Sequence, residues 1–194
     1  IYLYTVGAGG FSFHWTLFKE SFKYGRKTYF SSLLAFLTIR FNLLLVNYFL
    51  GSNEAGFYSI AVQCADLLYI IPLSIGTMLF PRVSSQAKDS GEFTWRVSRH
   101  TTFIMIIECA AAALFSQIII RILFGDVFLP SVNPFLVLVP GIFFLSLETV
   151  YMNDLAGRGL PPVTYITPAI GLVLNMALNF ILIPKIGTIG ASVA

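Results

Sequence analysis

The chain has 194 residues, a net charge of +3, 57% hydrophobic residues and only 11% charged ones. A soluble domain of this length carries about 25% charged residues, so water is not the main solvent of this chain. The few basic residues sit in clusters between apolar runs, a pattern that speaks for membrane orientation and against a nucleic-acid surface.

In chain order, residues 1–6 read as the tail of one apolar span. Residues 11–24 place Phe11, Phe13, Trp15, Phe18 and Phe22 beside Lys19 and Lys23. Aromatics next to basic residues suit the headgroup depth of a bilayer, so this stretch reads as an interfacial segment; a plain linker is the alternative. About 20 apolar residues are needed to cross the hydrocarbon core. Five runs meet that length, at 29–50, 56–80, 101–124, 133–153 and 162–183, and another begins at 189. The polar stretch 82–99 is the longest connection. Both ends fall within or beside apolar runs, so the sequence reads as an internal piece of a longer chain: 1–28 as the end of a span plus a linking segment, 29–194 as a transmembrane bundle.

Lys19, Lys23, Arg26 and Lys27 precede the first run; Arg82, Lys88, Arg96 and Arg99 follow the second; Arg158 follows the fourth. The opposite side carries Arg121 and Lys185. The excess of Lys and Arg in cytoplasmic loops places 19–28, 82–100 and 154–161 in the cytoplasm, and one orientation satisfies all five spans. The fold class is therefore all-α, a polytopic transmembrane helical bundle.

Ionisable side chains inside lipid cost about 2.5–3.5 kcal/mol each by insertion scales, and they face a bundle interior, a partner or a watery cavity. Arg40, Asp66, Glu108 and Glu148 are in this position. Arg40 and Asp66 lie on consecutive spans joined by a short turn, near mid-membrane. Either they pair and fix helix packing, or Arg40 faces a cavity and attracts an anion. Ser59, Gln63 and Asp66, spaced i, i+4, i+7, share one helix face, as do Arg40 and Asn47. Glu108 and Glu148 lie in the inner third of the membrane, where a carboxylate lines an entrance or carries a coupling ion; Glu148 could equally reach interfacial water. Asn175 and Asn179 are i, i+4 on the fifth span, a spacing suited to hydrogen bonding between helices. Cys64 and Cys109 lie within apolar runs and read as packing residues. No P-loop, H-E-x-x-H or G-x-S-x-G pattern occurs, and Gly7-Ala8-Gly9-Gly10 lacks the context of a nucleotide loop. The expectation is a transporter and not an enzyme, with no cofactor, no metal and no nucleic-acid partner.

Several stretches together resemble a known family. They are Phe22-Lys23-Tyr24-Gly25, Arg40, Phe49-Leu50-Gly51, Glu54-Ala55-Gly56-Phe57-Tyr58-Ser59-Ile60-Ala61, Ile71-Pro72, Leu79-Phe80-Pro81-Arg82-Val83-Ser84, and the run from Leu174-Asn175 through Asn179 and Pro184-Lys185 to Gly190-Ala191. In order and spacing they resemble the Wzx-type O-antigen and exopolysaccharide flippases of the multidrug/oligosaccharidyl-lipid/polysaccharide exporter superfamily. The resemblance implies two six-helix lobes around a central cavity, with this chain supplying most of the second. It implies a bacterial inner-membrane protein that moves a polyprenyl-diphosphate-linked oligosaccharide from the cytoplasmic to the outer leaflet by alternating access. Its partners would be the lipid bilayer, that substrate, and polysaccharide polymerase or ligase components. From the family only Arg40 carries over as a cavity candidate; the polar faces and intramembrane charges read above add Asn47, Gln63, Asp66, Asn175 and Asn179 as cavity candidates and Glu108 and Glu148 as coupling or entrance candidates. One departure stands out: where the family often has Arg-x-Asp, this chain has Arg40-Phe41-Asn42, so an acidic ion-binding role does not carry over to Asn42. A related exporter of peptidoglycan lipid precursor or cationic drugs is the nearest alternative, favoured by an acidic cavity. A membrane polysaccharide polymerase is a more distant one, favoured by a large external loop.

Overall fold

The computed structural model describes residues 14–85, 90–158 and 162–194. The described residues form α1 (Trp15–Leu50), α2 (Ser52–Ser85), α3 (Ser90–Phe124), a 3-10 turn (Asp126–Ser131), α4 (Val132–Gly157), α5 (Val163–Ile186) and the short α6 (Thr188–Val193). Among the described residues five helical stretches are long and apolar enough to cross a membrane: Ser32–Leu50, Ser52–Ser85, Gly91–Phe124, Asp126–Gly157 and Ile166–Ile186. The chain is a multi-pass helical membrane protein. The tail of an earlier span at 1–6, the glycine run at 7–10, Phe11, Phe13 and Lys88 lie outside the described residues.

In its described part the 11–24 stretch is continuous with the first span, because α1 runs unbroken for 36 residues from Trp15. Trp15, Phe18 and Phe22 stack along one side of that helix at 5.4 and 6.1 Å, and Lys19 lies over the Trp15 ring. The polar connection expected at 82–99, with room for a short helix, is mostly helix. Helix α2 continues to Ser85 and α3 starts at Ser90, leaving only 86–89 undescribed. At 1.5 Å per residue the 34 residues of α2 extend about 51 Å, well beyond a hydrocarbon core of about 30 Å. Polarity marks where a helix leaves lipid, not where it ends, since its backbone hydrogen bonds are internal in either solvent. The Arg96–Glu92 pair at 2.9 Å supports the emergent start of α3.

At the other end of the bundle the connections are short. Gly51 (φ 87°) and Gly187 (φ 66°) stop α1 and α5 with a backbone conformation that a Cβ would strain, and their N–H groups donate to Asn47 O and Ile183 O. A single residue therefore separates α1 from α2, and the two must run antiparallel as neighbours. Helix α2 packs along α4, α3 also packs on α4, and α1 packs on α5.

The main core lies between α2, α3 and α4. Ala61, Cys64 and Ala65 of α2 face Phe135, Val139 and Ile142 of α4, with Met105, Cys109 and Ile120 of α3. Both cysteines are free and buried. Nearer the basic end, α2 and α4 approach through glycines. A Cβ at Gly157 would meet Val83 Cβ and Cγ1 at 2.9 Å, and one at Gly76 would meet Asn153 Nδ2 at 2.6 Å. Lipid tails are as apolar as leucine, so helices in a bilayer gain by close van der Waals approach, which small residues permit. Large apolar side chains such as Met78, Leu114, Ile122 and Phe144 point outward.

Because the Val83 Cβ cannot rotate away, Gly157→Ala is expected to push α2 from α4. The cost should be about 1–3 kcal/mol, as for other overpacked sites. Thermal unfolding of the purified protein in detergent would read it; an unchanged midpoint would contradict the close contact.

Candidate functional site

Helices α1 and α2 diverge from their Gly51 turn and leave a groove of about 490 Å³ between them. Phe36, Ile39, Arg40 and Leu43 line it from α1; Tyr58, Ser59, Val62, Gln63 and Asp66 line it from α2. The i, i+4, i+7 spacing of Ser59, Gln63 and Asp66 does put them on one face, and Phe36, Arg40 and Leu43 are spaced i, i+4, i+7 on the opposite wall. Arg40, Gln63 and Asp66 are all exposed, while Ser59 is half-buried.

Arg40 and Asp66 share this groove without an ion pair among the described residues. The register explains it. Arg40 lies ten residues before the end of α1 at Leu50, and Asp66 fourteen after the start of α2 at Ser52. The offset is about 6 Å along the helix axes, so Arg40 stands nearer the level of Gln63. Its guanidinium lies over the Phe36 ring instead, 5.3 Å from the centroid, where the ring's negative face partly balances the charge. The Gln63 amide donates to Ser59 O at 3.3 Å, and the Ser59 hydroxyl to Gly56 O at 2.8 Å. Side chains that only cap their own helix can exchange those bonds for a ligand's.

The remaining sequence candidates lie elsewhere. Asn47 is exposed on α1 outside the groove. Asn175 and Asn179 are buried between α5 and α1. There the Asn179 amide nitrogen donates to Asn42 Oδ1 at 2.9 Å, to Asn175 O at 2.8 Å and to Asn175 Oδ1 at 3.1 Å. Close by, the Tyr58 hydroxyl of α2 donates to Ala191 O of α6 at 3.4 Å. This polar knot fastens α1 to α5. Asn42, to which no acidic ion-binding role carries over from the family resemblance, is its member on α1; no local spacing relates it to residues on a helix so distant in sequence. Glu148 is exposed on α4, and Glu108 is half-buried on α3 with its Oε2 lacking a hydrogen-bond partner. Neither glutamate lines the α1–α2 groove. Among the described residues no group of His, Cys, Asp and Glu is arranged to hold a metal.

Sequence reasoning also passed over Asp154. It is buried on α4, accepts from Thr94 Oγ1 of α3 at 2.7 Å, and is gripped by Arg158 Nε and Nη2 at 2.9 and 3.2 Å. The i, i+4 spacing of Asp154 and Arg158 was the available clue. Tyr69 and Thr149 join α2 to α4 by a hydroxyl–hydroxyl bond of 2.7 Å.

Two double-mutant cycles separate the pairs by unfolding in detergent. Asn42→Ala with Asn179→Ala should couple by about 0.6–1.7 kcal/mol, the range for hydrogen bonds between membrane helices. Arg40→Ala with Asp66→Ala should show almost no coupling. The reverse pattern would contradict the described geometry.

Comparison with known proteins gives the lineage. The family model described as polysaccharide biosynthesis protein matches residues 2–133. A Shigella flexneri protein named "Putative O-antigen transporter" is 28% identical over 194 residues, covering 97% of this chain and 46% of that protein. A Methanocaldococcus jannaschii protein named "Uncharacterized membrane protein MJ1068" is 31% identical over 157 residues, covering 77% of this chain and 31% of its own length. A Haloferax volcanii protein named "Probable low-salt glycan biosynthesis flippase Agl15" is 24% identical, covering 91% of this chain and 38% of that protein. The chain thus spans less than half the length of these relatives. No solved structure matches it. With more than half of its residues matched by the family model and its helices built to cross a bilayer, the chain belongs to the polysaccharide biosynthesis protein family.

Proposed function

We propose that this chain forms part of a flippase that carries a polyprenyl-diphosphate-linked oligosaccharide from the cytoplasmic to the outer leaflet for cell-surface polysaccharide, and that the α1–α2 groove is one wall of its path. The observation that carries the reading is the exposed Arg40, facing Gln63 and Asp66 across a groove between membrane-spanning helices. An exposed guanidinium at that depth is costly unless water or an anion meets it. The relatives named as an O-antigen transporter and a glycan biosynthesis flippase support the same direction.

The chemistry follows from the substrate. A diphosphate and a string of sugar hydroxyls cannot enter hydrocarbon without losing hydration worth many kcal/mol, whereas the polyprenyl tail can stay in the lipid. Arg40 gives the phosphate a planar pair of donors and a permanent charge. Gln63, Ser59 and Asp66 offer donors and acceptors to sugar hydroxyls. No covalent step is needed, so the protein acts as a transporter and not an enzyme. Arg82, Arg96, Arg99 and Arg158 gather at the end of the bundle opposite the Gly51 and Gly187 turns; that end is the cytoplasmic one under the positive-inside rule. Asp66 in the same groove keeps one second reading in view, the export of cationic compounds.

The test uses a gene deletion and complementation with the intact gene. Lipid-linked repeat units should accumulate on the cytoplasmic leaflet in the deletion and be cleared by the wild type. Arg40→Ala should clear them about tenfold more slowly at an equal amount of membrane protein, the size of effect when a hydrogen bond to a charged group is lost. Full activity of that variant would remove Arg40 from the path. Accumulation on the outer leaflet would point to polymerisation; sensitivity to cationic drugs without accumulation would point to the exporter.

A further inference from the structure

A second groove, of about 420 Å³, opens between α3 and α4 and shares no residue with the first. Trp95, Ser98, Arg99, Thr102, Phe103 and Ile106 of α3 line it, facing Leu147 and Tyr151 of α4. Trp95, Arg99, Thr102, Phe103 and Ile106 recur at helical spacing, so they make one continuous stripe about 16 Å long. Its character changes along its length. Trp95, Arg99 and Tyr151 stand towards the start of α3, and Phe103, Ile106 and Leu147 lie deeper in the span Gly91–Phe124.

The hydroxyls between these two zones already have partners. Ser98 Oγ donates to Tyr151 Oη at 3.2 Å, bridging α3 to α4, and Thr102 Oγ1 donates to Ser98 O at 2.8 Å. The charge does not. Around it Arg96 is held by Glu92 at 2.9 Å, Arg158 is held by Asp154, and Arg82 lies over the Phe93 ring at 4.1 Å. Among the described residues Arg99 has no ion-pair partner, and it is exposed. An uncompensated cation therefore sits at the mouth of an apolar slot whose rim carries a tryptophan and a tyrosine, the residues that settle at headgroup depth.

We infer that the α3–α4 groove binds an anionic phospholipid of the surrounding leaflet, with its phosphate at Arg99 and an acyl chain along Phe103, Ile106 and Leu147. Basic pockets between transmembrane helices recognise headgroups in this way. The occupant must be amphipathic. A bare anion would leave the slot empty, and a neutral lipid would leave Arg99 unbalanced. This inference does not depend on what the α1–α2 groove transports.

The test is native mass spectrometry of the intact gene product released from detergent with phosphatidylglycerol or phosphatidylcholine. Wild type should retain phosphatidylglycerol in preference to phosphatidylcholine. Arg99→Gln should lower that retention about fivefold, as expected for one basic residue near a membrane surface. Arg96→Gln, one position from the groove's Trp95, should leave retention unchanged. Leu147→Trp, which fills the apolar floor, should lower it without altering charge. Equal retention of the two lipids, equal retention by Arg99→Gln and wild type, an equal loss in Arg96→Gln, or displacement by excess inorganic phosphate would each overturn the inference.

Discussion

Every peptide N–H and C=O that enters hydrocarbon must find its partner within the protein, because no water is there to replace it. Among the described residues this chain meets that demand with helices alone, and the rest of its architecture follows. A helix that satisfies its own backbone does not need a neighbour to be stable in lipid, so it can be long. Helices α1, α2 and α3 run on beyond the apolar layer, and proline is carried inside α2, α4 and α5 without ending them. Lipid as the solvent also removes the usual reason for helices to associate, since burying leucine against leucine gains little over burying it against lipid.

Association is then left to two weaker devices, and the bundle uses each in a different place. Between α2 and α4 the device is proximity: Gly76 and Gly157 let backbones approach, and Ala61, Cys64 and Ala65 leave room for Phe135 and Val139. Between α1 and α5 it is polarity, with three asparagines joined through one amide nitrogen. The α3–α4 seam adds the Thr94–Asp154–Arg158 cluster near its emergent end. These two polar clusters find most of their partners inside the protein and so read as fastening, although Asn179 Oδ1 is buried without a hydrogen-bond partner among the described residues. Arg40, Gln63 and Asp66 differ because they lie in a groove and satisfy one another poorly. What separates polar groups that join helices from polar groups left facing a groove is where their partners lie, not residue type.

Much was legible from residue order. Apolar runs of bilayer length, the asymmetry of lysine and arginine, and the absence of soluble catalytic patterns are one-dimensional quantities. They determined an all-α membrane bundle, its five spans and the candidates Arg40, Gln63 and Asp66 on their helix faces. Helix periodicity reaches about two turns, so the shared face of Ser59, Gln63 and Asp66 could be read directly. The ends of the helices could not, because the polar residues at 82–99 suit a solvated helix as well as a loop.

Only the tertiary structure decided which polar residues meet. Asn175 and Asn179 belong with Asn42 and not with Arg40, because α5 packs on α1 and the axial register of the two helices brings those amides level. Arg40 and Asp66 face one groove unpaired because one turn of helix offsets them. Glu108 and Glu148 lie away from that groove because, among the described residues, α3 and α4 do not pack on α1. A sequence specifies which face of each helix is polar. Which faces are turned towards each other depends on the packing and relative height of helices far apart in the chain, and those are set by close contacts at positions such as Gly76 and Gly157.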